Sequence, residues 1–414
     1  MEPFPVDRVR AQFPALARRV GDFPAVYFDG PGGSQVPQRV IDAVAGYLAD
    51  RNANSGGAFA TSVETDALLD EAHAAAADLL GATDPGEIVF GANMTTLTLA
   101  LARSLARSWN PGDELLVTRA DHDANVAPWL LAARDAGVVV HHVEIRREDC
   151  TLDLDDLARK LSRRTRLVAV GCASNAVGTI HPVRRIIELA HARGALVFLD
   201  AVHSAPHALV DVAAWDCDFL ACSAYKFFGP HVGLLWGRRA LLETLPAYKV
   251  RAASEALPHR WETGTQNHEG IAGTLAAIEY LADLGRALEP ATAGRRTAIA
   301  AAMAGIQAYE RDLSRQALER LAAIPGLTLH GISDPARVAE RTPTFAVTHA
   351  RRSPAEMARF LAGRGIFTWS GHFYAIALTE ALGLEPDGVL RAGLLHYNTA
   401  EEVERLGVAL AEMT

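Results

Sequence analysis

Between residues 85 and 240, short apolar runs alternate with longer amphipathic stretches. The apolar runs are Glu87–Phe90, Glu114–Thr118, Val138–Ile145, Leu167–Gly171, Ala195–Asp200, Phe219–Ser223 and Gly233–Trp236. Thr95–Ser108, Asn125–Ala136 and Val183–Arg193 are examples of the stretches between them. Runs of that length suit strands and stretches of that length suit helices, so the rhythm predicts βα units and a mostly parallel sheet. The last two runs are separated by a loop too short for a helix. An antiparallel hairpin at one edge of the sheet is expected there.

Upstream, Val40, Ile41, Val44, Tyr47 and Leu48 fall on one helical face. From about residue 268 the chain is Ala-rich and helical in pattern, with one long helix expected over 296–323. Apolar runs near Leu327–Leu329 and Thr344–Val347 follow, then helices over 354–364 and from Thr399 onward. Thr399 and Glu402 have the spacing of a capping box. This end reads as a smaller α+β domain. The expected division is an N-terminal segment of the small domain over 1–20, a large domain over 21–290, and a small C-terminal domain over 291–414.

Composition narrows the function. The 414 residues allow a large core and more than one domain. Half are hydrophobic and 21% are charged, as in ordinary globular chains. The net charge of −9 gives no reason to expect nucleic acid or an anionic membrane as a partner. No apolar run is long enough to span a bilayer, and the first twenty residues lack a signal-peptide core, so a cytoplasmic location is expected. Cys150, Cys172, Cys217 and Cys222 form no CxxC pair and no zinc spacing, which predicts small buried cysteines and no metal site.

Of 40 Lys and Arg residues only Lys160, Lys226 and Lys249 are lysine, which leaves 37 arginines. Lys160 lies in a charged helical stretch and Lys249 in an expected loop. Lys226 follows the apolar strand Phe219–Ser223, at the strand end where α/β sheets place ligands. Burial lowers an amine's pKa and suits it to Schiff-base chemistry, although a lysine snorkelling from a strand end has the same sequence signature. Asp200 ends another apolar strand at the same sheet edge, either as a loop cap or as a partner to the amine. Pyridoxal 5′-phosphate (PLP) uses both groups: an amine for covalent attachment and an acid to keep its ring nitrogen protonated.

The segments Leu199–Ser204 and Asp216–Pro230 resemble the class V aminotransferase family, in its group II cysteine desulfurase and selenocysteine lyase branch. The similarity also covers Tyr27–Asp29, Ala120–Trp129, Ser174–Thr179, Arg260–Asn267 and Arg391–Thr399. It implies PLP fold type I, with a mostly parallel seven-stranded sheet and a smaller α+β domain. Carried over to this chain, Lys226 would hold the cofactor, Asp200 would pair with its ring nitrogen, and His122 would lie over its ring. Asn175 and His203 would address the ring hydroxyl; His203 stands where the desulfurases usually carry Gln. Thr95 and Ser223 would bind the phosphate, Tyr225 would contact it in place of the usual His, and Thr265 would reach the phosphate of a partner in a homodimer. Thr95 also opens an expected amphipathic helix, whose N-terminus favours an anion. Arg391 would grip the α-carboxylate of an amino-acid substrate. The small-residue segment Asn52–Ser62 resembles an active-site loop, which places Asn54 or Phe59 at the substrate.

One stretch departs from the family. The group II desulfurases carry Arg-x-Gly-His-x-Cys-Ala on a loop, and the cysteine takes up sulfur as a persulfide. Here the matching residues are Trp369, Gly371, His372, Tyr374 and Ala375. Tyr374 stands in the cysteine position, and a phenol is no sulfur acceptor. The favoured reading is therefore a β-eliminating C–S lyase, which needs no enzyme cysteine. A class V aminotransferase or epimerase is one alternative, and a non-catalytic partner protein of the same fold is another. A nicotinamide dehydrogenase is disfavoured, because Gly30-Pro-Gly-Gly33 does not follow the GxGxxG pattern between strand and helix.

Overall fold

The computed structural model describes residues 4–413; the first three residues of the expected N-terminal segment lie outside them. Seven strands form the larger sheet: β1 (Ile88–Gly91), β2 (Glu114–Thr118), β3 (Val139–Val143), β4 (Thr165–Gly171), β5 (Leu196–Asp200), β6 (Phe219–Ser223) and β7 (Gly233–Gly237). Their spatial order is β1-β7-β6-β5-β4-β2-β3. All seven expected strands are present, and the mostly parallel sheet is as expected. Only β7 runs against its neighbours, pairing antiparallel with β6 and with β1. The β6–β7 hairpin is therefore not at the edge: β1 takes that place. The physical reason is that every residue of β7 is buried, so an outer strand must cover its second row of backbone groups.

Helices cover both faces of this sheet, as burial of parallel strands requires. One face carries Met94–Ala106 and Ala127–Ala136, whose Leu101, Leu105 and Trp129 pack with Val117, Phe198 and Phe219. Val183–His191 packs the opposite face through Ile186 and Ile187, and His268–Leu288 joins the same core through Ile278 and Leu281. The expected long helix is Arg295–Ala322, and the break before it separates it from His268–Leu288.

A second sheet has four antiparallel strands, β8 (Leu327–His330), β9 (Thr344–His349), β10 (Trp369–Gly371) and β11 (Val389–Gly393), in the order β8-β9-β11-β10. It packs with Pro354–Ala362 and with Ala400–Ala411, whose start shows the expected Thr399–Glu402 capping box. The N-terminal stretch touches both units. Val9 and Phe13 are buried in the larger core, while Val26 and Phe28 are buried in the smaller one. No described helix is long and apolar enough to cross a membrane.

Candidate active site

The carboxyl ends of the parallel strands converge on one cavity of about 1050 Å³. Pairing fixes this convergence: Asp200 at the end of β5 is in register with Gly171 at the end of β4 and with Ala221 of β6. His122 follows β2 by four residues and Lys226 follows β6 by three, so both side chains enter from the same edge. Thr95, His122, Asn175, Asp200, His203, Ser223, Tyr225, Lys226, Tyr374 and Arg391 all line the cavity. Thr265 and Asn54 do not: both are solvent-exposed on this chain, outside the cavity.

Lys226 donates to the backbone carbonyls of Pro31 and Gly32, at 3.1 Å for the latter. The glycine cluster near the start of the chain thus forms the floor under the amine. Burial, reinforced by the Arg391 charge, lowers the amine's pKa to about 7, against the opposing pull of Asp29 and Asp200. Its ammonium also lies 4.7 Å from the centre of the Tyr225 ring, which stacks on His231. Asp200 accepts from the Val202 N–H at 2.8 Å, and burial raises its carboxyl to about 6. Burial, Lys226 and Arg391 together lower His122 to about 4, so its imidazole is neutral near pH 7. His203 is also pushed well below the ordinary histidine range by burial, and its Nε2 lies 3.0 Å from the Thr342 hydroxyl.

The helix Met94–Ala106 points its N-terminus into the cavity. Asn93 caps it, its side chain accepting from the Thr96 N–H at 2.9 Å. Capping therefore does not occupy the exposed Thr95. The Ser223 hydroxyl oxygen accepts from the Met94 N–H at 3.0 Å, which leaves its own proton for an anion. On the opposite wall, Arg391 donates to the Asn175 carbonyl at 3.0 Å and to Asp29 at 3.4 Å. Burial lowers its pKa to about 10, still cationic at neutral pH.

The loop after β10 closes over this wall. Gly371 has φ 127°, and Phe373 and Tyr374 both adopt left-handed backbone, at φ 54° and 58°. Two consecutive non-glycine residues in that region are strained, and three contacts hold them. The Asp123 N–H donates to the Tyr374 carbonyl at 2.7 Å, Asn175 Nδ2 donates to the Phe373 carbonyl at 3.0 Å, and the Phe373 ring lies 3.9 Å from the Arg391 guanidinium carbon.

Sequence reasoning gave no role to Asp29, Asp121 or Phe373. Asp121 is fully enclosed, accepting from the Thr118 hydroxyl and the Gly171 N–H at 2.6 Å each. Burial raises it to about 7, with the Asp200 charge adding to the rise. Asp29 and Asp121 lie within segments that resemble the family, but only distances reveal what they touch.

PLP, expected from the sequence resemblance, can be tested against these residues. Asn175 Oδ1 and Arg391 Nε are buried without a hydrogen-bond partner. Orphaned buried polar atoms are costly, and a ring hydroxyl and a carboxylate are groups that would satisfy such atoms. The capped helix end and Ser223 suit a phosphate, and Lys226 and Asp200 bring an amine and an acid to the same cavity. The residues present fit the cofactor.

Comparison with known proteins agrees. The family model for class V aminotransferases matches residues 26–406. The cysteine desulfurase of Pectobacterium atrosepticum is 35% identical, over 98% of this chain and 97% of its own length. That of Dickeya dadantii is 33% identical, over 99% and 97%. Among solved structures, an apo cysteine desulfurase from Thermococcus onnurineus superposes with a TM-score of 0.88 at 26% identity, covering 100% of this chain and 98% of that one. An Escherichia coli cysteine desulfurase in its S-sulfonic acid form gives 0.83 at 29% identity, covering 99% and 98%. The chain belongs to the class V aminotransferase family, and is a cysteine desulfurase-like, PLP-dependent enzyme of fold type I.

Proposed function

We propose that this protein is a β-eliminating C–S lyase acting on an amino acid, and that it works as a cytoplasmic homodimer. One observation carries the reading: Tyr374 lines the cavity, and none of the four cysteines does. All four are free and buried. Burial raises Cys150 and Cys217 to about 12 and pushes Cys172 and Cys222 well above the ordinary thiol range, so none is poised as a thiolate. Persulfide chemistry would lack its nucleophile, whereas elimination needs none.

Bound PLP supplies an electron sink that stabilises negative charge developing at the substrate α-carbon. The chain's own residues do the rest. Lys226 would hold the cofactor covalently, and its free amine, with a pKa lowered by burial to about 7, would take the α-proton. Asp200 would keep the ring nitrogen protonated, and His122, neutral near pH 7, would pack against the ring without adding charge. Asn175 and His203 address the ring hydroxyl, and Thr95, Ser223 and Tyr225 address the phosphate. Arg391 fixes the substrate carboxylate, oriented by Asp29 and Phe373.

Thr265 and Asn54 belong to this scheme through a second copy, with Thr265 reaching the partner's cofactor phosphate. Exposed Ile41, Leu48, Phe59 and Val63 support an apolar contact between copies on that side. We also propose the division into a large domain over 21–290 and a small one over 291–414, with residues 1–20 as an N-terminal segment of the small domain that Val9 and Phe13 anchor in the larger core, while Val26 and Phe28 add to the smaller core.

The test is an amino-acid panel with product identification. Catalytic release of pyruvate and ammonia from cysteine or its conjugates is expected. Stoichiometric conversion to pyridoxamine phosphate would replace the lyase reading with a transaminase. No spectral change with any amino acid would point to a non-catalytic protein.

A further inference from the structure

Charge is distributed unevenly over the wall of the cavity. Among the described residues its only Lys, Arg, Asp and Glu are Asp121, Asp200, Lys226 and Arg391, and all four are buried. The exposed part of the wall is Thr95, Thr96, His231, Trp369, Tyr374 and Pro386. Trp369 is 56% exposed and Tyr374 65%, unusual for large aromatic side chains with no function at a surface.

Register ties this aromatic lip to the substrate clamp. Trp369 of β10 is the antiparallel partner of Arg391 of β11. Cross-strand partners leave the sheet on the same face, with Cβ atoms about 5 Å apart. A substrate carboxylate held by Arg391 therefore has the indole as its neighbour. Tyr374 stands across the opening, its ring 5.3 Å from that of His122 at a tilt of 30°. The three contacts holding its strained backbone keep the phenol at the opening. At about 1050 Å³ the cavity has room beyond a cofactor and a three-carbon amino acid.

We infer that the outer part of this cavity selects amino acids whose β-sulfur carries an uncharged apolar or aromatic group, and that S-aryl, S-benzyl and S-alkyl cysteine conjugates are its substrate class. This rests on the β-elimination reading above. In the reaction the Cα–H and Cβ–S bonds break. The conjugate and one water give the free thiol R–SH, pyruvate and ammonium, with no external oxidant or reductant. Lys226 accepts the α-proton, and the sulfur leaves with the electron pair of the Cβ–S bond and is protonated. Trp369 and Tyr374 flank the R group and exclude water from it.

The test titrates the holoenzyme with cysteine, S-benzylcysteine and S-carboxymethylcysteine, following the visible absorbance of the cofactor. Covering roughly 80 Å² of ring surface corresponds to about thirtyfold tighter binding of the benzyl conjugate than of cysteine. The carboxymethyl conjugate, with a charge at the lip, should gain nothing over cysteine. Trp369→Ser and Tyr374→Ala should each bring the benzyl-to-cysteine ratio towards one, and the cysteine titration in each variant verifies that its site is intact. The inference is overturned if cysteine or the carboxymethyl conjugate binds as tightly as the benzyl one, or if the ratio survives both substitutions. Pyruvate measured on the same samples separates the two claims. Tight benzyl binding without pyruvate defeats the elimination and leaves the ligand class standing. Pyruvate from cysteine alone defeats the substrate class and leaves the elimination standing.

Discussion

Lys226 should weaken the protein that it serves. The residue is 8% exposed, and burial with the Arg391 charge lowers its pKa from 10.5 to about 7. At about 1.4 kcal/mol per pKa unit, that shift corresponds to roughly 5 kcal/mol of destabilisation when the amine is protonated. The sign follows from proton binding. Between about pH 7 and 10.5 the unfolded chain holds more protons on this residue than the folded one, so stability rises with pH across that window. Below about 7 both states are protonated and the full deficit remains. Lys226→Met keeps the methylene packing and removes the amine. Freed of cofactor, the variant should be more stable than the wild type at pH 6 in urea unfolding, by up to about 5 kcal/mol. The attraction of Asp29 and Asp200 for the ammonium opposes the shift and is already contained in that figure. The gain should shrink steadily above pH 7. A variant less stable than wild type at pH 6, or a difference independent of pH, would refute the idea that the amine is held against its hydration.

Other substitutions probe other parts of the site. Arg391→Lys removes the fork geometry and the packing on Phe373, and should weaken amino-acid binding by about a hundredfold while the cofactor stays bound, as read by absorbance titration. Asp200→Asn cannot hold a proton on the ring nitrogen and should lower turnover by at least about a hundredfold, with the cofactor retained; near-normal turnover would remove Asp200 from the mechanism. Glu310 and His207 form a buried pair 2.8 Å apart behind the cavity, so Glu310→Ala should cost about 3 kcal/mol in chemical unfolding, and Glu310→Gln, which keeps a hydrogen bond, distinctly less. Asn175→Ala releases the Phe373 carbonyl and should loosen the loop over Arg391, seen as faster amide exchange over residues 371–375.

Much of this architecture is legible in the sequence because its period is simple. Strands buried on both faces read as unbroken apolar runs, and each of the seven runs corresponds to a strand. The position of β7 is not legible, since a short β6–β7 loop fixes pairing with β6 but says nothing about β1 on its other side. Lys226, Asp200 and His122 stand out because strand ends are visible in the pattern and each follows one closely. Asp29 is different: it meets Arg391 across 362 residues, and no local pattern encodes that contact. The same holds for Phe373, whose role depends on a left-handed backbone that an aromatic side chain does not advertise. Thr265 and Asn54 are legible only by resemblance, and both stand outside the cavity of the single chain.

The claim beneath all others is that Lys226 carries the cofactor. Borohydride reduction of the holoenzyme, followed by digestion and peptide mass mapping, tests it without any assumption about substrate. The expected result is one pyridoxyl-modified peptide, spanning Lys226, and none at Lys160 or Lys249. Modification at either of those lysines, or none at Lys226 in a protein that binds the cofactor, would contradict it.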